Sequence, residues 1–180
     1  MRVTISGKAG SGKSTVAKLL AKRLNIKHFS IGDLMRLMAN ERGLSLLALN
    51  KLAEKDKPID FELDERLKEL GRTKNDFVVD GRLTAFFIPH AEVRVFLDAD
   101  YRVRAERILK DKRKQEHNTT LKETARNIRA REKSEEKRYK EYYNASYFDK
   151  KLYNIVIDTT KLAPSEVVDS IMRLIKKINF

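Results

Sequence analysis

Residues 7–14 read GKAGSGKS, preceded by RVTIS at 2–6 and followed by VAKLLAKRL at 16–24. The first flank alternates apolar and polar residues and is β-branched, as a strand is, and the second repeats apolar residues at helical spacing. A strand, a glycine-rich turn and a helix therefore follow one another. In that setting the pattern G-x-x-x-x-G-K-[ST] predicts a phosphate-binding loop made of Gly7, Lys8, Ala9, Gly10, Ser11, Gly12, Lys13, Ser14 and Thr15. Glycines let the backbone curl so that successive N–H groups point at phosphate oxygens, and the helix starting near Lys13 adds the positive end of its dipole. Lys13 is expected to reach the β- and γ-phosphates of a nucleoside triphosphate, and the Ser14 hydroxyl to ligate Mg²⁺. The turn of a dinucleotide-binding fold is also rich in glycine, but it lacks the Lys-Ser pair.

Outward from the loop, HFSI at 28–31, FVVD at 77–80, VRVFLD at 93–98 and NIVID at 154–158 predict four more strands. LMRLMA, SLLALNKLAE and ELDERLKEL read as three helical pieces separated by Gly43 and by Lys57-Pro58. Two basic helices are expected at 101–114 and 120–143, and SEVVDSIMRLIKKI closes the chain behind Pro164. Val- and Ile-rich strands alternating with helices predict an α/β fold, a five-stranded parallel sheet with helices on both faces. The expected organisation is a single domain, 1–180. Its core is 1–31, 73–100 and 152–180, with helical insertions at 32–72 and 101–151 over the carboxyl edge of the sheet, where ligands bind in such folds.

With 180 residues, 41% of them apolar, and no cysteine, the chain can bury a core without disulfides, and nothing suggests an oxidising compartment. No segment approaches the ~18 apolar residues of a membrane span, and Met1 leads straight into a strand, so a cytoplasmic place is expected. The formal charge of +13 would suit a phosphate polyanion. A Lys/Glu-rich balance of this kind is equally thermophile-like, and the basic residues of Tyr101 to Tyr143 are interleaved with acids, so nucleic acid is not the expected partner. His28, His90 and His117 lack ligand spacing, and no transition-metal site is expected. A monomer is the expected state.

On the side of a phosphoryl acceptor, Arg36 sits in FSIGDLMRL one helical turn beyond the second strand, where its guanidinium can project over the carboxyl edge toward a second phosphate. Asp60 and Asp64 lie one turn apart in IDFELDERLKEL beside Arg66, which read alone could equally be half of a surface ion pair. Arg131, Ser134, Glu135 and Arg138, spaced 0, 3, 4 and 7, share one helix face, which makes either a cationic clamp or an exposed stripe of ion pairs. Tyr139, Tyr142 and Tyr143 read as packing residues.

The segments GKAGSGKST, FSIGDLMR, GLSLLALNKLAEKDKPIDFELDERL, VVDGRL, VRAERI and REKSEEKRYKEYY follow the order seen in nucleoside monophosphate kinases. Over nearly its whole length the sequence resembles the archaeal-type cytidylate kinases. The stretch from Gly43 to Leu67 and the Asp80-Gly81-Arg82 turn are the discriminating parts. The Asp-Gly-Phe-Pro-Arg turn of adenylate kinases is absent, and Ile31 stands where those enzymes usually carry Thr. The resemblance implies a P-loop kinase that moves the γ-phosphoryl of Mg-ATP to CMP, with dCMP as a further acceptor. It implies that Lys13 and the loop hold ATP, and that Ser14 and, through water, Asp80 hold Mg²⁺. Arg36 and Arg82 would clamp the acceptor phosphate, 32–72 would be the monophosphate-binding flap, and Arg131 and Arg138 would cover the transferring group from a lid. Arg104 or Arg107 would stack on the base of ATP. In the bacterial cytidylate kinases the turn reads Asp-Gly-Arg-Asp and its last carboxylate takes part in reading cytosine. Leu83 stands there in this chain, so base reading is expected of Asp60, Asp64 or Arg66. Two alternatives stay open, an adenylate or broad-specificity monophosphate kinase and an RNA-associated P-loop ATPase.

Overall fold

The computed structural model describes residues 1–73, 75–111 and 120–178; the expected helix end at 112–114 and His117 lie outside them. Five strands, β1 (Arg2–Gly7), β2 (Lys27–Ser30), β3 (Phe77–Asp80), β4 (Val93–Asp98) and β5 (Ile155–Asp158), form one sheet in the order β2-β3-β1-β4-β5, every pairing parallel. The helices are α1 (Lys13–Leu24), α2 (Ile31–Glu41), α3 (Leu46–Ala53), α4 (Lys57–Arg72), α5 (Thr84–Phe87), α6 (Tyr101–Lys110), α7 (Leu121–Tyr143) and α8 (Pro164–Ile178). The α/β class and the parallel sheet are as expected from the alternation of Val/Ile runs with helical periods. Ile31 is not the end of β2. The Ser30 hydroxyl accepts from the Asp33 amide and caps α2, so the helix begins at Ile31. The four-residue α5 and a 3₁₀ turn at Lys150–Leu152 were not expected, because elements of that length carry no period.

Strand alternation divides the core between the two faces of the sheet. Val3, Ile5, Val95 and Leu97 pack with Val16 and Leu20 of α1 and Val168 and Ile171 of α8. On the other face Phe77 and Val79 meet Leu67 of α4 and Ile88 after α5, while Phe96 meets Leu83 and Tyr147. A separate apolar cluster, Met35, Met38, Leu46, Leu49, Ile59 and Leu63, joins α2, α3 and α4 to one another. The carboxyl ends of the strands bring Ser30 level with Asp80, and Gly7 level with Leu97, along one edge of the sheet.

Candidate active site

A cavity of about 900 Å³ opens over that edge, of a size that holds small molecules. One wall is the loop between β1 and α1. Its curl needs glycine: Gly10 has φ +76°, and a Cβ there would lie 2.5 Å from the Arg104 carbonyl oxygen. Lys13 folds across its own loop and donates to the Lys8 carbonyl at 2.8 Å. Burial, then the neighbouring Arg82, hold its ammonium well below the usual lysine range. The Lys8 side chain turns instead to Asp98, 2.9 Å away.

Asp80 ends β3 under this loop and is buried. Its Oδ2 accepts from Ser14 Oγ at 2.7 Å and from Ser30 Oγ at 3.3 Å, and Oδ1 lies 2.7 Å from His28 Nε2. The Ser14 hydroxyl and the Asp80 carboxylate are therefore adjacent hard oxygens. That is a fitting donor set for Mg²⁺, which takes one or two protein oxygens and completes its shell with water and phosphate. His28 is not among the residues expected at the site, because its sequence context shows only that it lacks metal-ligand spacing. Its signal was strand parity, since His28 and Ser30 point the same way from β2, beside the paired strand that carries Asp80.

Arg82 turns back over the loop. Its Nε donates to Glu135 Oε2 at 2.6 Å, and Nη1 donates to the Gly7 carbonyl at 2.8 Å. Arg131 Nε donates to the other oxygen of Glu135 at 3.0 Å. Glu135, with 4% of its side chain exposed, is thus the counter-ion of two guanidinium groups. Burial would raise its carboxyl, but Arg82 and Arg131 overcome this and pull it down to about 2. Lys13, Arg82, Arg131 and Arg36 all line the cavity, so cations from the loop, α2, the turn after β3 and α7 border one space.

Arg138 departs from its expected place at the reacting phosphates. It is 1% exposed and absent from the cavity wall. Nε donates to Asp60, Nη1 to the Asn50 carbonyl and Ser134 Oγ, and Nη2 to Asn50 Oδ1 and Asp60 Oδ1. All five N–H groups are engaged, so the side chain ties α7 to α3 and α4 and keeps no hydrogen for a phosphate. Replacing it by Lys retains the charge but loses the planar fork. Arg138→Lys is expected to lower unfolding free energy by about 2 kcal/mol in a urea titration.

Asp60 and Asp64 both line the cavity, while Arg66, expected with them, does not. Positions 60, 64 and 67 lie on one stripe of α4. Arg66 falls on the outer side, 54% exposed, where it donates to Glu62 at 2.9 Å. Of the two arginines expected at the ATP base, Arg107 borders the cavity, held by the Thr159 hydroxyl at 3.0 Å and carbonyl at 2.7 Å. Arg104 is buried, donates to the Ala9 carbonyl and to Glu132, and is a brace for the loop instead.

A family model described as the cytidylate kinase-like family matches residues 2–161. The chain is 43% identical to a cytidylate kinase of Natronomonas pharaonis, over 93% of this chain and 85% of that protein. It is 40% identical to a cytidylate kinase of Halobacterium salinarum, over 96% and 88%. Among solved structures, a shikimate kinase from Bacteroides thetaiotaomicron superposes with a TM-score of 0.66 over 100% of this chain and 99% of that one. At 18% identity, this is a likeness of fold alone.

Proposed function

The chain belongs to the cytidylate kinase-like family, and from that premise we propose that it transfers the γ-phosphoryl group of ATP to CMP, giving ADP and CDP. One observation carries the reading beyond family membership. A single cavity joins the phosphate loop to a second cationic and carboxylate set, Arg36, Arg82, Asp60 and Asp64, as two facing nucleotides would require. ATP lies along the loop with its base toward Arg107, and CMP lies against α2 and α4. In this scheme 1–180 acts as a single domain in the cytoplasm, as a monomer, with 32–72 as the monophosphate-binding insertion and 101–151 as the lid region.

Phosphoryl transfer needs alignment and charge more than covalent help. Lys13 follows the charge on the transferring group, and Arg36 and Arg82 hold the acceptor phosphate. Arg131 covers the equatorial oxygens, while Glu135 keeps Arg82 and Arg131 fixed until phosphates arrive. Mg²⁺, held by Ser14 and through water by Asp80, would neutralise charge on the phosphates. The acceptor already carries an anionic oxygen, so no strong general base is required.

An ADP-release assay with CMP, dCMP, UMP, AMP and GMP in turn tests the assignment: CMP is expected to lead, and activity with AMP far above CMP would overturn it in favour of an adenylate kinase. An RNA-associated ATPase would leave Arg36 and Arg82 without a task, and its basic surface is partly neutralised by pairs such as Arg102 with Glu106 and Lys137 with Glu54. Arg82→Lys cannot reproduce the two-pronged contact. It is expected to raise the KM for CMP and reduce kcat, together by about 100-fold in kcat/KM; unchanged kinetics in a folded variant would remove Arg82 from the site.

A further inference from the structure

We propose that Asp64 reads the base, its carboxyl accepting the exocyclic amine of a 4-aminopyrimidine and rejecting a 4-oxo base. The inference rests on the kinase reading above. Ile31, Met35, Leu63, Leu67 and Leu83 give the α2–α4 side of the cavity an apolar lining suited to the faces of a base, and the Arg36 side chain marks where its phosphate would lie. Such a slot needs a polar group that discriminates between bases, and three residues were candidates. Arg66 points outward, and both Asp60 oxygens are taken by Arg138.

Asp64 is differently placed. It is 6% exposed, borders the cavity, and its Oδ2 accepts from the Tyr143 hydroxyl of α7. Oδ1 accepts no hydrogen bond from any described residue, so a buried carboxyl keeps one acceptor uncommitted beside an apolar slot. An amine hydrogen of a base bound in the cavity supplies that acceptor with a partner. Tyr143 is itself held edge-on against Phe87, at 5.3 Å between centroids, which limits how far the carboxyl can swing.

The chemistry separates the two pyrimidines. Cytosine presents N4–H₂ donors where uracil presents the O4 acceptor. An ionised carboxyl can only accept, so O4 would face it lone pair to lone pair. Burial raises Asp64 to about 7; Asp60 and Glu65 on its own helix add to this, while Tyr143 and Lys68 oppose it. From α7, Tyr139, Arg131 and Glu135 border the same cavity and Arg138 holds Asp60, while Arg36 and Arg82 line it from α2 and from the turn after β3. The carboxyl therefore passes from donor-and-acceptor to acceptor-only within the assayable range.

The test is kcat/KM for CMP and for UMP, on the wild-type chain and on Asp64→Asn. An amide offers hydrogens to O4 that a carboxylate lacks, so Asp64→Asn is expected to lose about 10- to 100-fold on CMP, gain on UMP, and collapse the CMP:UMP ratio. In the wild type that ratio is expected to climb several-fold from pH 6 to pH 8 as Asp64 ionises, and in Asp64→Asn to stay flat. The wild-type profile is decisive even if the variant does not fold. A folded Asp64→Asn that keeps the wild-type ratio, or a wild-type ratio independent of pH, would overturn the inference while leaving CMP as substrate. A wild type that prefers AMP would instead overturn the kinase assignment on which it rests.

Discussion

Lys13→Ala is expected to lower kcat for ATP-dependent phosphorylation of CMP by at least about 1,000-fold, while the melting temperature changes little. The Lys13 ammonium donates to the Lys8 carbonyl in its own loop, a bond worth roughly 1 kcal/mol at most to the fold. Its contribution to transfer is of another order. It lies half-buried against the phosphate loop, where a cation interacts more strongly with a phosphate than in bulk water, and in this scheme Arg82 and Arg131 have other oxygens to hold. Burial and Arg82 depress Lys13, and the negative charge of bound ATP would act in the opposite direction, favouring the ammonium form. Coupled ADP-release kinetics would measure the effect. A variant within 10-fold of the wild type would remove Lys13 from the chemistry.

Glu135→Gln is expected to destabilise the fold by about 3 kcal/mol at pH 7, the second large effect. The amide keeps the shape but leaves Arg82 and Arg131 largely withdrawn from solvent without their shared counter-ion. The sign of the pH dependence follows from the depressed carboxyl. Folded, it titrates near 2, and unfolded near the ordinary glutamate value of about 4.3, so its stabilisation is complete above that value and is lost as pH falls toward 2. The gap between wild type and variant should therefore be widest near neutrality and close in acid. Ligands should also narrow it, because phosphate groups bring back the missing negative charge. ATP with CMP is then expected to raise the melting temperature more in Glu135→Gln than in the wild type. Scanning calorimetry at pH 7 and pH 3, with and without nucleotides, would show both trends; a variant that melts like the wild type at pH 7 would mean that Glu135 is not the anchor of the arginine pair.

Much of this was legible along the chain, where the relevant physics is local. The GKAGSGKS turn carries its meaning in eight consecutive residues, since the backbone geometry that cradles phosphate is set by where glycine falls. The strands were legible as Val/Ile runs, and α4 was legible as a stripe that sets Asp60 and Asp64 on one face. Parity along β2 could also have directed His28 toward Asp80, had the paired strand been known.

What the sequence determined by itself is therefore the fold class, the phosphate loop and a set of charged residues on known faces of known elements. Only the tertiary structure decided how those charges divide their work. Arg131 and Arg138 share a helix face, yet one borders the cavity beside Glu135 and the other spends all five hydrogens on Asp60, Asn50 and Ser134. Asp60 and Asp64 look equivalent in sequence, but Arg138 occupies the first and Tyr143 leaves the second an open oxygen. The reason is that a guanidinium or a carboxylate has a small, fixed number of hydrogen-bonding sites. Which of them stay available to a ligand depends on partners some 80 residues away in the chain, brought close only when α7 packs across α3 and α4.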